Sequence, residues 1–398
     1  MDFYAEPAFF VLVAPIVAIA VVLGVLELPR QRYVLAASAL MLVALFFRSV
    51  PSALFALAYI AGSLALYLWV RAGFAGPGDA GSQPAKAAKA TGAAEAVPRR
   101  YWVALALELA PLVVYKVGVA VRPDFLGFVG ISYITFKALQ VIIECRDGLI
   151  RDMTASEYLL FLAFFPTFTS GPILRSRPFV EDLRAPLARD AYLERLYRGI
   201  GWFTVGLAYK FVGAALAQWA MWFVPSATTG ALSWLARTLF FGLDLFFDFA
   251  GYSDMACGVG LALGIEVPLN FHAPFAATDI KEFWDRWHMS LSTWLRDFVF
   301  MRFSRFALER RLFANRQVTA CVAFVLDMAL MGVWHGITVP YIAYGLFHGV
   351  LLAAYHWYQQ KSAFYKANRR KRWYRALSWA VTMVAVFFGF ALFAGYVV

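Results

Sequence analysis

Five histidines are the side chains of this chain best suited to move protons, and His335 has the most distinctive surroundings. It lies at the junction of two apolar segments, beside Trp334 and between Gly332 and Gly336. The glycines would allow a substrate or another helix to approach closely. A histidine buried at membrane depth should be neutral, and a neutral imidazole can take a proton from a hydroxyl nucleophile. The pattern favours His335 as a general base; the alternative is a structural histidine hydrogen-bonded to a neighbouring helix.

A second histidine, His288, lies in the stretch IKEFWDRWHMSLSTWLRDFVF at 280–300, where charges and tryptophans crowd together. Helical spacing predicts a single amphipathic helix over this stretch. One face of that helix would carry Trp284, Trp287, His288, Leu291 and Trp294. The opposite charges spaced to stabilise it are Lys281 with Asp285 and Glu282 with Arg286. We interpret the stretch either as an interfacial anchor or as one wall of a protein-lined interior.

Other kinds of catalytic site find less support in the sequence. A metal site built from His288, His335 and His348 lacks an HExxH-type pair and carboxylate ligands at suitable spacing, so we predict no bound metal. A GxSxG nucleophile elbow and a phosphate-cradling glycine loop are also missing. The three cysteines lie far apart without CxxC spacing, which argues against a disulfide framework or a zinc site.

The composition predicts a helical membrane protein. The chain has 398 residues, of which 62% are hydrophobic and 15% charged, whereas about a quarter of the residues of a soluble domain are charged. Many apolar runs approach the roughly 20 residues needed to span a bilayer as a helix. We predict an all-α, polytopic fold with about ten to twelve transmembrane helices plus re-entrant and interfacial helices. The net charge of +11 comes from residues at the ends of apolar runs, so we expect no nucleic-acid partner.

Charge distribution and composition divide the chain into segments. An apolar run at 9–28 is followed by Arg30 and Arg32, which places this end in the cytosol and the N-terminus outside the cytoplasmic membrane. Residues 1–71 therefore form N-terminal transmembrane helices. The Gly-, Ala- and Pro-rich segment 72–100 is predicted to be a flexible cytosolic linker. Residues 101–398 form the remaining core.

Several features interrupt the apolar runs of that core. FFPTFTSGPI at 164–173 predicts a re-entrant element or a discontinuous helix that lines a cavity. Lys116 and Lys137 lie within or near spans, where a charged group faces the bundle interior or snorkels to the membrane interface; we expect snorkelling for a lysine near a span end. Asp244 and Asp248 share one helix face; structural pairing is favoured over a proton relay. The sequence MRFSRFALERRLFANR at 301–316 predicts a basic amphipathic helix at a cytosolic surface.

The two histidine segments carry a family resemblance. FWDRWHMSLSTWLRDF at 283–298, followed by MGVWHGITVPYIAYGLFHG at 331–349, resembles the membrane-bound O-acyltransferase (MBOAT) superfamily. FFPTFTSGPILRSRPF at 164–179, DFAGYSDMACGVGLALGI at 248–265 and RDFVFMRF at 296–303 add to it. Within the superfamily, the chain most resembles the D-alanyl transfer proteins. The resemblance implies helices arranged around a central channel, with 101–398 as the catalytic core.

The resemblance also implies roles for residues. His335 would be the catalytic histidine, and His288 would lie near it along the channel. We expect five further residues to line that channel: Trp284, Trp287, Ser290, Trp334 and Ser170. A carrier-protein docking surface would include Val299, Met301, Arg302 and Arg305.

The reaction implied by the resemblance is acyl transfer across the membrane. No cofactor would be bound; the D-alanyl group would arrive as a thioester on the phosphopantetheine arm of an acidic cytosolic carrier protein. The acceptor would be a hydroxyl of an extracytoplasmic teichoic acid or other glycan, reached with the possible help of a small membrane partner. An alginate-type polysaccharide O-acetyltransferase is the alternative enzyme, and a lipid or glycan transporter is the alternative from another class.

Overall fold

A computed structural model describes residues 6–47, 49–74, 99–122, 125–226 and 229–397. Within these ranges the chain forms seventeen α-helices and no strands, which confirms the all-α prediction. In chain order the helices are α1 (Pro7–Val25), α2 (Gln31–Phe46), α3 (Val50–Phe74), α4 (Arg99–Val121), α5 (Ile131–Arg146), α6 (Ala155–Ala163), α7 (Ser176–Arg184), α8 (Arg189–Ala208), α9 (Ala214–Trp222), α10 (Ala231–Ala262), α11 (Ile280–Trp284), α12 (Met289–Leu295), α13 (Met301–Glu309), α14 (Arg316–His335), α15 (Val339–Lys361), α16 (Ala363–Asn368) and α17 (Arg372–Phe393).

Six helical segments in the described part of the chain are long and apolar enough to cross a membrane. They are α1, α3, α4, α14, α17 and the segment Arg189–Trp222, in which α8 and α9 are joined by a π-helical turn. The polytopic membrane class is thereby confirmed. Both ends of the predicted linker at 72–100 are helical, because α3 extends to Phe74 and α4 begins at Arg99. Residues 75–98 lie outside the described residues, and the linker stays a prediction.

The chain divides into two compact units, one formed by Met1–Phe203 with Ala256–Pro268 and the other by Thr204–Met255 with Leu269–Val398. In the first unit, α5 is the most buried element: thirteen of its sixteen residues are buried. Its Thr135 hydroxyl lies 2.7 Å from the Tyr59 hydroxyl of α3. Hydrogen bonds of this kind satisfy polar groups that would be costly inside an apolar bundle.

The predicted break after α6 is present in the first unit. The helix ends at Ala163, and a single 3-10 turn, Phe165–Thr167, follows it. Of the two alternatives for Lys137, the structure shows the interior one: its side chain is fully buried and donates to Phe161 O (3.3 Å) and to Thr167 Oγ1 (3.1 Å). A helix end leaves carbonyl groups without partners, and the ammonium group satisfies one of them here.

In the second unit, α14 and α15 form an antiparallel hairpin with very close backbones. A Cβ atom added to Gly345 of α15 would lie 2.9 Å from Gly332 Cα of α14 and would also collide with Met328 O. Small residues at such crossings let two membrane helices approach closely enough for good van der Waals contact. The close approach holds the end of α14, and therefore His335, against α15.

The paired acids of α10 have partners in the same unit. Asp248 forms an ion pair with Lys210, and Gln218 Nε2 donates to Asp244 Oδ1 at 2.9 Å. Both acids therefore pair with neighbouring polar groups, as expected for the structural role that the sequence favours over a proton relay.

The single helix predicted over 280–300 is wrong, because the chain breaks between α11 and α12. His288 adopts the left-handed conformation (φ 45°, ψ 49°), and a π-helical turn, Arg296–Phe300, follows α12. Backbone groups that would be hydrogen-bonded within a continuous helix bond instead to the segment 270–272. Met289 N donates to Asn270 O (2.9 Å), and Arg286 O accepts from His272 N (3.0 Å). The two predicted ion pairs are present, each at 2.7 Å.

Candidate active site

His288 sits in the turn between α11 and α12 and is 3% exposed. Its ring packs edge-on against Phe249, with the centroids 4.7 Å apart. No residue in the described ranges hydrogen-bonds to either ring nitrogen. Burial, and to a lesser extent the charge that His335 can carry, lowers the pKa of His288 to about 3. His288 is therefore neutral at physiological pH, with one N–H and one lone pair for a ligand.

A buried hydrogen-bond network fixes the chain just after His288. The side-chain oxygen of Asn270 accepts from the Ser290 hydroxyl (2.6 Å), while its amide nitrogen donates to Ser253 Oγ (3.0 Å). Asn270 is fully buried, and its backbone oxygen also accepts from Met289 N. The left-handed backbone of His288 costs about 1–2 kcal/mol for a residue with a Cβ atom, and this network stabilises it.

His335 is the last residue of α14 and is half-buried. Its ring lies among aromatic side chains: the centroid distances are 4.7 Å to Trp334, 5.1 Å to Phe393 and 6.0 Å to Tyr341. The helix ends at Gly336, so the imidazole projects from the end of the helix rather than from its middle. This position gives His335 better access than the fully enclosed His288.

Both histidine rings lie close to the indole of Trp334. The indole centroid of Trp334 is 4.7 Å from the ring of His335 and 6.3 Å from the ring of His288. The electrostatic effect of His335 on the pKa of His288 agrees with this proximity. The structure thus brings together the two histidines that the sequence singles out, one enclosed and neutral, the other more accessible.

The predicted lining residues have different surroundings. Trp284 donates from Nε1 to His348 Nδ1 at 3.4 Å, and Trp287 stacks on Phe283 with the centroids 5.5 Å apart. Both indoles are nearly buried. Ser290 donates to Asn270, as described above, and Trp334 lies close to both histidines. Ser170 belongs to the first unit, where it follows the 3-10 turn and is exposed. Their role in a channel stays a prediction.

The predicted docking residues cluster around the start of α13. Met301 is 56% exposed, and Val299 in the preceding π-helical turn is half-buried. The guanidinium of Arg302 lies 5.6 Å from the centroid of the Phe298 ring. Arg305 is exposed and forms a 2.8 Å ion pair with Glu309. The helix ends at Glu309, earlier than the predicted 316, because Asn315 already caps α14 by accepting from Val318 N.

A cavity of about 580 Å³ lies next to this surface within the second unit. Met301 and Phe300 line it on the docking side. Its wall also includes Met289, which follows His288 directly, and Met331, one helical turn before His335. The cavity therefore extends from the predicted docking surface toward the residues that flank both histidines.

Two residues of this region are absent from the sequence predictions. Asn270 carries no local signal, because its partners come from distant parts of the chain. Asp327 of α14 lines the cavity and is 9% exposed. A lone acid inside an apolar run is a recognisable signal of function in a membrane protein, and that signal could have identified Asp327. Among the described residues, no group of three or more histidine, cysteine or acidic side chains could hold a metal ion.

The helices and the histidine pair define a multi-pass membrane protein with a paired-histidine site. Its sequence matches the membrane-bound O-acyltransferase (MBOAT) family over residues 95–398, and the chain belongs to this family. It is therefore an O-acyltransferase.

Curated relatives agree with this assignment. The chain is 41% identical over 309 residues to the teichoic acid D-alanyltransferase of Streptococcus thermophilus, covering 73% of this chain and 74% of the relative. It is 41% identical over 277 residues to the teichoic acid D-alanyltransferase of Bacillus subtilis, covering 68% and 70%. The probable alginate O-acetylase AlgI of Pseudomonas aeruginosa is 34% identical over 67% of this chain and 48% of its own length. The predicted resemblance to D-alanyl transfer proteins is confirmed.

Proposed function

We propose that this O-acyltransferase moves a D-alanyl group from a carrier-protein thioester to a hydroxyl of a cell-envelope acceptor outside the cytoplasmic membrane. The observation that carries the proposal is the 41% identity to two teichoic acid D-alanyltransferases over about 70% of each chain. The acceptor is a teichoic acid or another envelope glycan with a free hydroxyl.

In the proposed reaction, His335 acts as general base. Its imidazole removes the proton of the acceptor hydroxyl while the oxygen attacks the thioester carbonyl carbon. The tetrahedral intermediate then collapses, the carbon–sulfur bond breaks, and the sulfur leaves with the proton held by His335. The products are an ester and a free thiol, so the imidazole returns to its neutral form. The half-buried position of His335 at the end of α14 supports this role.

His288 assists without changing its own charge. Because burial holds its pKa at about 3, it stays neutral and can donate one hydrogen bond in a site with little water. We propose that this hydrogen bond orients the acceptor or stabilises the developing oxyanion. The left-handed turn and the Asn270 network provide a rigid support for this group.

The proposed donor is carried on the phosphopantetheine arm of an acidic carrier protein, and the enzyme itself holds no cofactor. Arg302, Arg305 and the exposed Met301 would contact the carrier; the adjacent cavity would receive the arm. The arrangement supports this proposal because the cavity is lined by Met301 at the docking surface and by Met289 and Met331, which lie close to the histidines in the chain.

Orientation follows from the same proposal. The carrier is cytosolic, so the docking surface faces the cytosol and the acceptor hydroxyl approaches from outside. Arg30 and Arg32 after the first helix support a cytosolic position for that end, and the proposal has the N-terminus outside the cytoplasmic membrane. A small membrane partner that passes the group to the final acceptor is part of the proposal.

Donor labelling tests the proposed function against its alternatives. The purified protein is reconstituted in vesicles with carrier thioesters bearing either labelled D-alanine or labelled acetate, and ester in the acceptor is measured. The proposal predicts D-alanyl ester. Acetyl ester alone would favour an alginate-type O-acetyltransferase, to which the chain is 34% identical over 67% of its length. Movement of lipid or glycan without ester formation would indicate a transporter.

A further inference from the structure

Asp327 is a buried carboxylate in the wall of an otherwise largely apolar cavity. It is 9% exposed, and no described residue offers its carboxylate a hydrogen bond or an ion pair. The surrounding wall includes Met289, Leu291, Met328 and Leu352. A polar group buried without a partner is costly, and a buried charge more so. An acid retained in this position indicates a ligand that supplies the missing partner.

The other charges in the cavity wall already have partners at its rim. Lys281 and Asp285 pair at 2.7 Å, and both side chains are more than half exposed. Arg296 pairs with Asp297 at 2.9 Å. The cations of the rim are thus engaged with their own acids, whereas Asp327 lines the same cavity and is buried. The cavity therefore presents one negative site to whatever enters it.

We propose that Asp327 binds the protonated amino group of an aminoacyl donor inside this cavity, so that the enzyme selects aminoacyl over simple acyl donors. This inference rests on the proposed function. An α-amino group has an ordinary pKa of about 7.7–8.0 and is mostly charged at neutral pH. Such an ammonium would be costly among methionine and leucine side chains, and the carboxylate would offset that cost through a charge-assisted hydrogen bond.

The position of Asp327 suits a site that binds the donor before it reaches His335, not the site where the acyl group is transferred. Asp327 and His335 are eight residues apart on α14, which corresponds to about 12 Å along the helix axis. In an aminoacyl thioester the amino group is on the carbon next to the carbonyl. The ammonium must therefore leave Asp327 before the carbonyl reaches His335. Asp327 selects the donor and does not take part in the bond-making step.

Equilibrium binding of two pantetheine derivatives tests this selection. One carries D-alanine and the other propionate, each through a stable amide in place of the thioester, so the pair differs only by the amino group. Both are titrated into the intact protein in lipid nanodiscs without acceptor, and binding is followed by ligand-observed NMR. The wild type should bind the D-alanyl compound at least about tenfold more tightly, as expected for a hydrogen bond between charged groups. Asp327→Asn should bind the two compounds equally.

Asp285→Asn is the matched control, because it removes an acid from the rim of the same cavity and should keep the preference. The inference is overturned if the wild type binds both compounds equally or binds neither of them. This outcome does not depend on whether a variant folds. An equal loss of both compounds in Asp327→Asn also overturns it, because the carboxylate would then bind the arm. The transfer assay on the same preparation distinguishes failure of this inference from failure of the proposed function. If D-alanyl ester forms although the protein shows no binding preference, the proposed function stands and only the role of Asp327 is refuted.

Discussion

The carboxamide oxygen of Asn270 accepts a 2.6 Å hydrogen bond from the hydroxyl of Ser290. This contact joins the loop before α11 to the first turn of α12, two residues after His288. Both side chains are buried. The contact therefore determines where the His288 imidazole lies.

Asn270→Ala should lower the transfer rate while leaving donor binding nearly unchanged. The substitution removes the three hydrogen bonds of the Asn270 side chain, one donated to Ser253 Oγ and two accepted from Ser290, at a cost of about 1–3 kcal/mol. Thr319→Ala is the control, because its buried hydroxyl donates to Asn315 O, one turn earlier in the chain, and lies outside the cavity wall. Measuring kcat and KM separately checks the prediction. A fall in stability with an unchanged kcat would show that Asn270 does not position His288.

His288 should make the native state sensitive to acid. Its pKa is about 3 when folded and 6.5 when free, so the unfolded chain binds the proton first as the pH falls. Stability from this group is complete above pH 6.5 and is lost progressively toward pH 3. His288→Gln removes the effect, so its melting temperature should fall less than that of the wild type between pH 6.5 and 4.5. The difference corresponds to about 2 kcal/mol at pH 4.5.

The exposed His272 provides the comparison for this experiment. His272→Gln makes the same substitution at an exposed histidine and is measured over the same pH range. A His288→Gln variant that loses as much stability as the wild type over the same range would contradict the burial argument.

Gly345→Ala should destabilise the second unit and reduce activity together. The new methyl group would lie 2.9 Å from Gly332 Cα, and relieving such overpacking typically costs about 1–3 kcal/mol. The resulting shift of α14 would move His335, which ends that helix. Gly62→Ala on α3 is the matched control, because nothing lies within 4 Å of its added methyl group. Thermal unfolding in detergent and the transfer rate are both measured; equal behaviour of the two variants would refute the close-packing account.

Arg305→Glu should weaken carrier binding at low salt by at least about threefold, because a positive charge on the docking surface becomes negative. Protein abundance should not change, since the ion pair of Arg305 with Glu309 is exposed and such pairs contribute little stability. Arg375→Glu, an exposed site at the start of α17, is the comparison. Binding that responds neither to the Arg305 change nor to salt would place the carrier elsewhere.

Parts of this architecture follow directly from the sequence. The apolar run before His335 is long enough for a membrane helix and ends at a glycine-flanked histidine, and α14 ends at that residue. The Pro- and Gly-rich stretch after α6 predicts a break, and a break is present. In both cases the residues that determine the structure are contiguous in the sequence, so periodicity and turn composition are sufficient to predict it.

Other parts depend on contacts between distant segments. The turn at His288 forms because Asn270 and His272 bond to backbone groups of 286–289. Helical periodicity describes only the residues of the helix itself, so it does not show that a distant segment bonds to them. The burial of Lys137 depends on acceptors supplied by the broken end of α6. Local composition could therefore identify the histidines but not the geometry that separates an enclosed His288 from an accessible His335.

The most direct test of the account is the transfer rate of His335→Ala in the reconstituted D-alanyl assay, with abundance and melting temperature matched to the wild type. Loss of a general base should reduce ester formation by about 10²–10⁴-fold. His272→Ala, an exposed histidine, should retain the wild-type rate. Ester formation by His335→Ala at the wild-type rate would contradict the central claim that this histidine deprotonates the acceptor.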